Sequence, residues 1–304
     1  MIFDQERPSW SVEGRDWPNR EHSRFIRSGG MSWHVQQWGG GPPLLLLHGT
    51  GAATHSFRDV APLLARDFQV LALDLPGHGF TTMPATNGLA LDGMARLVGG
   101  VLTRLGFEPA LAVGHSAGAA VLVAMTDAAM IRPKAIIALN GALRPIRGAS
   151  LFSPLAKLLF LNPLAPKLFA LRALSGQATR RLLEGTGSHI DQRGIELYER
   201  LFRKSGHVAG ALGMMANWDL GPLASQMARL ATPLMLVSAA HDRAVPPDDA
   251  ARIAAGARSA RVHALDFGGH LVHEEEPERI AALITDIAHE TGVIRDLRRD
   301  HLSK

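Results

Sequence analysis

The sequence predicts an α/β fold: a mostly parallel, doubly wound sheet interrupted by an inserted helical lid. Three observations carry that prediction. Apolar runs of four to seven residues alternate with segments whose apolar residues recur at helical spacing, the pattern of parallel strands covered on both faces. The alternation stops between Leu143 and Pro222, where the chain is rich in Leu, Ala, Arg, Pro and Met without a strand pattern, and then resumes. The 304 residues are 46% hydrophobic and 20% charged, enough apolar material for one large core carrying an insertion. The expected division is a core over 1–142 and 223–304 and a lid over 143–222.

After a polar opening to about residue 22, MSWHVQQWG (31–39) reads as a strand, PPLLLLHG (42–49) as a buried strand and HSFRDVAPLLAR (55–66) as a helix. FQVLALD (68–74) is a strand, LALDGMARLVGGVLTRLG (89–106) a helix and PALAVGH (109–115) a strand. SAGAAVLVAMTDAAM (116–130) is a helix and KAIIALNG (134–141) a strand. Beyond the helical block the βα rhythm returns with PLMLVSAA (233–240), PPDDAARIAAGA (246–257), ARVHALD (260–266) and PERIAALITDIAHE (277–290).

Composition removes several classes of function. With no cysteine there is no disulfide, no thiolate nucleophile and no thiolate-bound metal. The opening MIFDQERPSW lacks a basic start and an apolar h-region, and no uncharged apolar stretch approaches the roughly 20 residues of a membrane span, so a soluble cytoplasmic protein is expected. The nearest approach, residues 151–174, is interrupted by Lys157, Lys167, Arg172 and three prolines, and reads as helices with exposed apolar faces or an interfacial segment. A net charge of +4 with scattered arginines and no aromatic-interleaved basic stripe argues against nucleic-acid binding. The basic tail 294–304 reads as a solvated end.

The chemistry concentrates at Gly114-His115-Ser116-Ala117-Gly118, a G-x-S-x-G pattern between an apolar strand and a helix. Such a sharp turn places a serine hydroxyl above the sheet and leaves no room for neighbouring Cβ atoms. A serine nucleophile needs a base and an orienting carboxylate, in the chain order Ser, acid, His. Asp242, after the strand PLMLVSAA, is the expected acid, with Asp248, Asp249 and Asp266 as nearby competitors; the strand before the lid ends in Asn140, which removes another acid position. His270, after two glycines, is the expected base. The expected oxyanion donors are the backbone N–H groups of Ala117 and of Thr50 in His48-Gly49-Thr50-Gly51.

Together HGTG, DLPGHG (74–79), GHSAG, the HDRAVPP acid loop and GGHLVHEEEP resemble the α/β-hydrolase superfamily over roughly residues 25–290, which implies the α/β-hydrolase fold and acyl-transfer chemistry. Serine at the elbow separates the chain from the branches that carry aspartate there, the haloalkane dehalogenases and epoxide hydrolases. A narrower resemblance runs through DWPNRE (16–21), WHVQ (33–36), LLLLHGTGAATHSFRD (44–59), GHSAGAA (114–120), LNGAL (139–143) and MMANWDL (214–220), which are similar to the magnesium-chelatase accessory proteins of bacteriochlorophyll biosynthesis. That resemblance implies a photosynthetic, tetrapyrrole-related setting, a hydrophobic small-molecule substrate such as a tetrapyrrole, and magnesium-chelatase subunits as partners. No resident cofactor is expected.

Fourteen histidines invite a metal, yet no H-E-x-x-H occurs and no metal site is expected. His270 and His273 beside Glu274, Glu275 and Glu276 read instead as a base followed by carboxylates at a helix start, ahead of Pro277. Asp74 reads as a turn carboxylate and His78 and His115 as structural. The lid's apolar residues, Leu151, Phe152, Leu155, Leu158, Phe160, Leu168, Phe169, Met214, Met215 and Trp218, read mainly as lid-on-sheet packing. From these and the turns around Ser116, the expected pocket wall is His115, Phe152, Leu155, Met214, Met215, Trp218 and Leu271.

Overall fold

A computed structural model describes residues 6–85, 87–145, 162, 164–173 and 176–294. Eight strands form one sheet: β1 Ser23–Ser28, β2 Met31–Trp38, β3 Pro43–Leu47, β4 Gln69–Leu73, β5 Leu111–His115, β6 Ala135–Leu139, β7 Leu234–Ser238 and β8 Ala260–Ala264. Their order is β1-β2-β4-β3-β5-β6-β7-β8. The pairs β1–β2 and β2–β4 are antiparallel and the rest parallel. The chain steps outward from β3 to β4 and returns across β3 to β5, so a topological switch point opens at the carboxyl ends of β3 and β5, where open α/β sheets bind ligands.

The central strands are apolar throughout because helices cover both faces. Leu44 and Leu46 point into one core cluster with Phe57, Leu64 and Phe68, while Leu45 and Leu47 point into the other with Trp33, Met94 and Val121. Each buried leucine contributes about 1.5–3 kcal/mol relative to an exposed one. The helices of the core are α1 Val60–Leu64, α2 Leu91–Leu105 and α3 Ala117–Asp127. Every element described between β6 and β7 is a helix: α4 Ala165–Arg172, α5 Gly176–Gly185, α6 Gln192–Phe202, α7 Ser205–Asn217 and α8 Leu223–Arg229. This is the lid-like insertion. After β7 follow α9 Asp248–Ala254, α10 Val272–Glu275 and α11 Pro277–Glu290. Among the described residues no helix is long and apolar enough to cross a membrane.

Two expectations need correction. The opening is not merely polar: Trp17 is buried and donates from Nε1 to Thr54 Oγ1 at 3.2 Å, Trp10 stacks edge-on against Phe80, and the segment 23–28 is a strand. The strand SRFIRS escaped notice because it is an edge strand, with no residue buried and two arginines facing solvent. The helix expected over 55–66 is a 3-10 turn, Thr54–Phe57, followed by the short α1, with Pro62 in its first turn where a missing N–H costs nothing.

Candidate active site

The turn at Ser116 has φ 51° and ψ −115°, a conformation costly for a residue with a Cβ and held here by its surroundings. Ser116 N–H donates to Leu139 O at 3.0 Å, and its own carbonyl accepts from Ala119 N–H at 3.2 Å and Ala142 N–H at 3.0 Å. Two glycines make the turn possible. A Cβ on Gly114 would lie 2.4 Å from Ala119 N, and one on Gly118 2.2 Å from Leu47 O. Ser116 is half-buried, and among the described residues its Oγ makes no hydrogen bond.

Asp242 and His270 meet as expected. His270 Nδ1 donates to Asp242 Oδ2 at 2.8 Å, and Asp242 Oδ1 accepts from the N–H groups of Ala244 at 2.8 Å and Val245 at 2.9 Å. A carboxylate only accepts, so this contact fixes the proton on Nδ1 and leaves Nε2 with its lone pair. The competitors lie elsewhere: Asp249 faces Arg144 at 3.7 Å and Asp266 faces Arg279 at 3.7 Å.

The His270 main chain is pinned beside the elbow. Its carbonyl accepts from His115 Nε2 at 2.9 Å and from Asn140 Nδ2 at 2.9 Å; Asn140 Nδ2 also reaches Gly269 O at 3.0 Å. Asn140 Oδ1 accepts from Ala239 N–H at 2.9 Å, so one amide ties the ends of β6 and β7 to the histidine loop. The rings of His115 and His270 lie 4.7 Å apart. Burial pushes His115 well below the ordinary histidine value, so its ring is neutral.

Lid residues 186–189 clamp both loops. Arg243 N–H donates to Thr186 O at 3.0 Å, Leu271 N–H to Ser188 Oγ at 2.9 Å, and Gly269 packs against Gly187 O so closely that a Cβ would sit at 2.2 Å. Glu275 completes the clamp, accepting from Gly269 N–H and from His189 N–H, each at 2.7 Å. Glu274 is buried, accepting from Ser56 Oγ at 2.7 Å, Tyr198 OH at 2.8 Å and the Arg58 guanidinium. Both stand in the first turn of α10, at a helix start as expected, and their hydrogen bonds add an anchoring role to that position. Asp74, read as a turn carboxylate, is buried and accepts from Thr54 N–H at 2.7 Å, Phe80 N–H at 2.8 Å and His34 Nδ1 at 2.9 Å.

The donors expected around the serine are placed as follows. Ala117 is buried at the first position of α3, where the helix has no internal acceptor for its N–H. Thr50 is exposed after β3, and its Oγ1 lies 3.2 Å from Met214 Sδ of α7. His207, on the same helix, donates from Nε2 to Gly51 O at 3.0 Å and accepts Gly79 N–H on Nδ1 at 3.0 Å; burial holds it down to about 4. Leu271 is buried with Ala52, Leu183 and Tyr198. Met215 is exposed, and Trp218 donates to Leu89 O at 2.9 Å beside the larger core. Phe152 and Leu155, with Leu151, Leu158 and Phe160, lie outside the described residues, as does the tail from 295. Among the described residues no group of three or more His, Cys, Asp or Glu side chains is placed to hold a metal.

Comparison with known proteins agrees with this architecture. The model of the alpha/beta hydrolase fold family matches residues 42–277. The Magnesium-chelatase 30 kDa subunit of Rhodobacter capsulatus is 37% identical over 276 residues, covering 89% of this chain and 96% of that one. The 2-hydroxy-6-oxo-6-phenylhexa-2,4-dienoate hydrolase of Burkholderia cepacia is 26% identical, covering 83% of this chain and 90% of that one. Among solved structures, an alpha/beta hydrolase fold protein from Burkholderia ambifaria superposes with a TM-score of 0.73 at 22% identity, covering 86% and 97% of the two chains. With the family model spanning strands β3 to β8, the lid-like insertion and the loops that carry Ser116, Asp242 and His270, the chain belongs to the α/β-hydrolase family.

Proposed function

We propose that the protein is a Ser-His-Asp hydrolase of ester-type bonds. The observation that carries this reading is the Asp242–His270 pair at 2.8 Å, held by His115 and Asn140 beside a serine at φ 51°. Ser116 Oγ attacks the acyl carbonyl as His270 Nε2 takes its proton, and the oxyanion so formed is stabilised by the N–H groups of Ala117 and Thr50. The protonated ring then gives that proton to the leaving alcohol. A water, deprotonated by the same Nε2, attacks the acyl-enzyme, and the acid leaves as Ser116 regains its proton. The serine–histidine contact forms on substrate binding, as such contacts commonly tighten only in the Michaelis complex.

For the setting of this reaction, the likeness to the Magnesium-chelatase 30 kDa subunit supports an accessory role in tetrapyrrole and bacteriochlorophyll biosynthesis, with a hydrophobic substrate. The same likeness favours a second reading, in which the scaffold binds a tetrapyrrole or chelatase subunits without turnover. A fluorophosphonate separates them. The expected result is one covalent adduct by intact mass, absent from Ser116→Ala. No adduct on folded protein, together with fluorescence quenching by protoporphyrin, would transfer the argument to the binding role.

The clamp on the histidine loop gives a second test. Both oxygens of Glu275 accept N–H groups, and Gln offers one acceptor and one donor, so Glu275→Gln turns an NH2 against either Gly269 or His189. A displaced histidine loop costs rate rather than affinity: kcat for a p-nitrophenyl ester should fall by roughly 10- to 100-fold, with KM changed less than about twofold. An unchanged kcat would show that the loop is held adequately without this carboxylate.

A further inference from the structure

Helix α4 is packed with its small residues inward and its large ones outward. Ala165, Pro166 and Ala170 are buried, while Leu168, Phe169 and Leu171 are 65%, 48% and 66% exposed. With Leu164, also exposed, Leu168 and Leu171 stand at i, i+4 and i+7, a continuous apolar stripe along one side. An amphipathic helix of a self-contained domain does the reverse. The neighbouring α5 buries Thr179 and Leu183 and adds one exposed leucine, Leu182.

The stretch of chain that carries this stripe is basic, although Glu184 pairs with Arg180 on α5 and Glu199 lies against Gly176 at its start. Between Asp127 and Glu184 the sequence holds nine Lys or Arg and no Asp or Glu. Where α4 meets α5 a surface recess is lined by Leu171, Arg172, Gln177, Ala178 and Arg181, two guanidinium groups beside the apolar stripe. A guanidinium pair suits a phosphate, and exposed leucine and phenylalanine suit acyl chains. Nearby basic groups each add to attraction for an anionic leaflet.

We propose that the outer face of α4 and α5 docks on an anionic phospholipid surface, with Leu164, Leu168, Phe169 and Leu171 in the headgroup–acyl boundary and Arg172 and Arg181 on lipid phosphates. The inference does not depend on the hydrolase reading. On its inner side α4 packs against α7, the helix whose Met214 and His207 touch the loop after β3, so docking sets the candidate site close to the surface where a hydrophobic substrate partitions.

The test is co-sedimentation of the full chain with vesicles of phosphatidylcholine alone or mixed equally with phosphatidylglycerol, at low and high salt. The expected result is binding to the mixed vesicles at least about tenfold stronger than to phosphatidylcholine alone, weakened by salt. Arg172→Glu with Arg181→Glu should reduce it at least about tenfold, as should Leu168→Ser with Leu171→Ser. The serine variant should unfold at the wild-type temperature, because its leucines are solvent-facing. Equal binding to both vesicles, or binding indifferent to the variants, overturns the proposal. So does a Tm lowered by the serine variant, which would mean that the chain covers the face itself. A lipid-free dimer lost in that variant would assign the face to a second copy instead.

Discussion

Asp242→Asn should lower kcat for an activated ester by about 10⁴-fold while leaving the protein folded. The size follows from which atoms can face each other. Asp242 Oδ1 accepts two main-chain N–H groups, from Ala244 and Val245, and asparagine satisfies both only by placing its one oxygen there. Its NH2 group then points at His270 Nδ1, where Oδ2 stood at 2.8 Å. That nitrogen must become the acceptor, the ring proton moves to Nε2, and the nitrogen proposed to deprotonate Ser116 can no longer take a proton. The carbonyl of His270 stays held by His115 and Asn140, so the ring remains in place in the wrong tautomer. A 10⁴-fold loss is about 5.5 kcal/mol of transition-state stabilisation. The check is kcat beside the rate of fluorophosphonate labelling, with circular dichroism for the fold. Both rates should fall together, and activity within tenfold of wild type would remove Asp242 from the proposed mechanism.

The residues that a chemist would name first were legible in the sequence because their constraints are local. Gly114 and Gly118 must be glycines, since each abuts main-chain atoms at 2.4 Å or less, and that requirement is written into five consecutive residues. The apolar run Leu44–Leu47 announces a strand buried on both faces for the same reason. The supporting residues were not legible, because their partners lie far along the chain. Asn140 looked like an absent carboxylate, yet it joins β7 and the histidine loop across 99 and 130 residues. Glu275 and Ser188, which brace that loop against the lid, and His207, which holds Gly51 and Gly79 together, look like surface residues in any short window. Trp10 and Trp17 were the signal that the polar opening packs on the core, since a large apolar ring gains by burial; Trp17 also finds an acceptor for its indole N–H, and Trp10 packs on Phe80.

Arg58→Met should destabilise the protein by about 3–5 kcal/mol, with a loss that depends on pH in a defined direction. Arg58 is buried and its guanidinium meets three carboxylates: Glu274, Asp191 of the lid at 2.9 Å and Asp59 at 3.2 Å. Asp191 also caps α6 by accepting Gly194 N–H at 2.7 Å, so Arg58 ties the start of that helix to the core beneath it. Methionine fills much of the volume but leaves Glu274 buried without its cation. Burial already holds the Glu274 carboxyl above its ordinary value even with Arg58 opposing, and removing Arg58 raises it further. A carboxyl whose pKa is higher folded than unfolded contributes stability fully present below the unfolded value, and that contribution is lost as pH rises through the folded one. The deficit of the variant should therefore be largest at neutral and alkaline pH and shrink as pH falls toward the ordinary glutamate range. Urea denaturation of both proteins from pH 5 to 8 reads this directly. Adding Glu274→Gln should recover part of the loss at pH 8 and little at pH 5, because a neutral amide needs no cation and can still face Ser56 and Tyr198. A deficit independent of pH would place the cost in packing and in the lost tie to Asp191, rather than in the stranded charge.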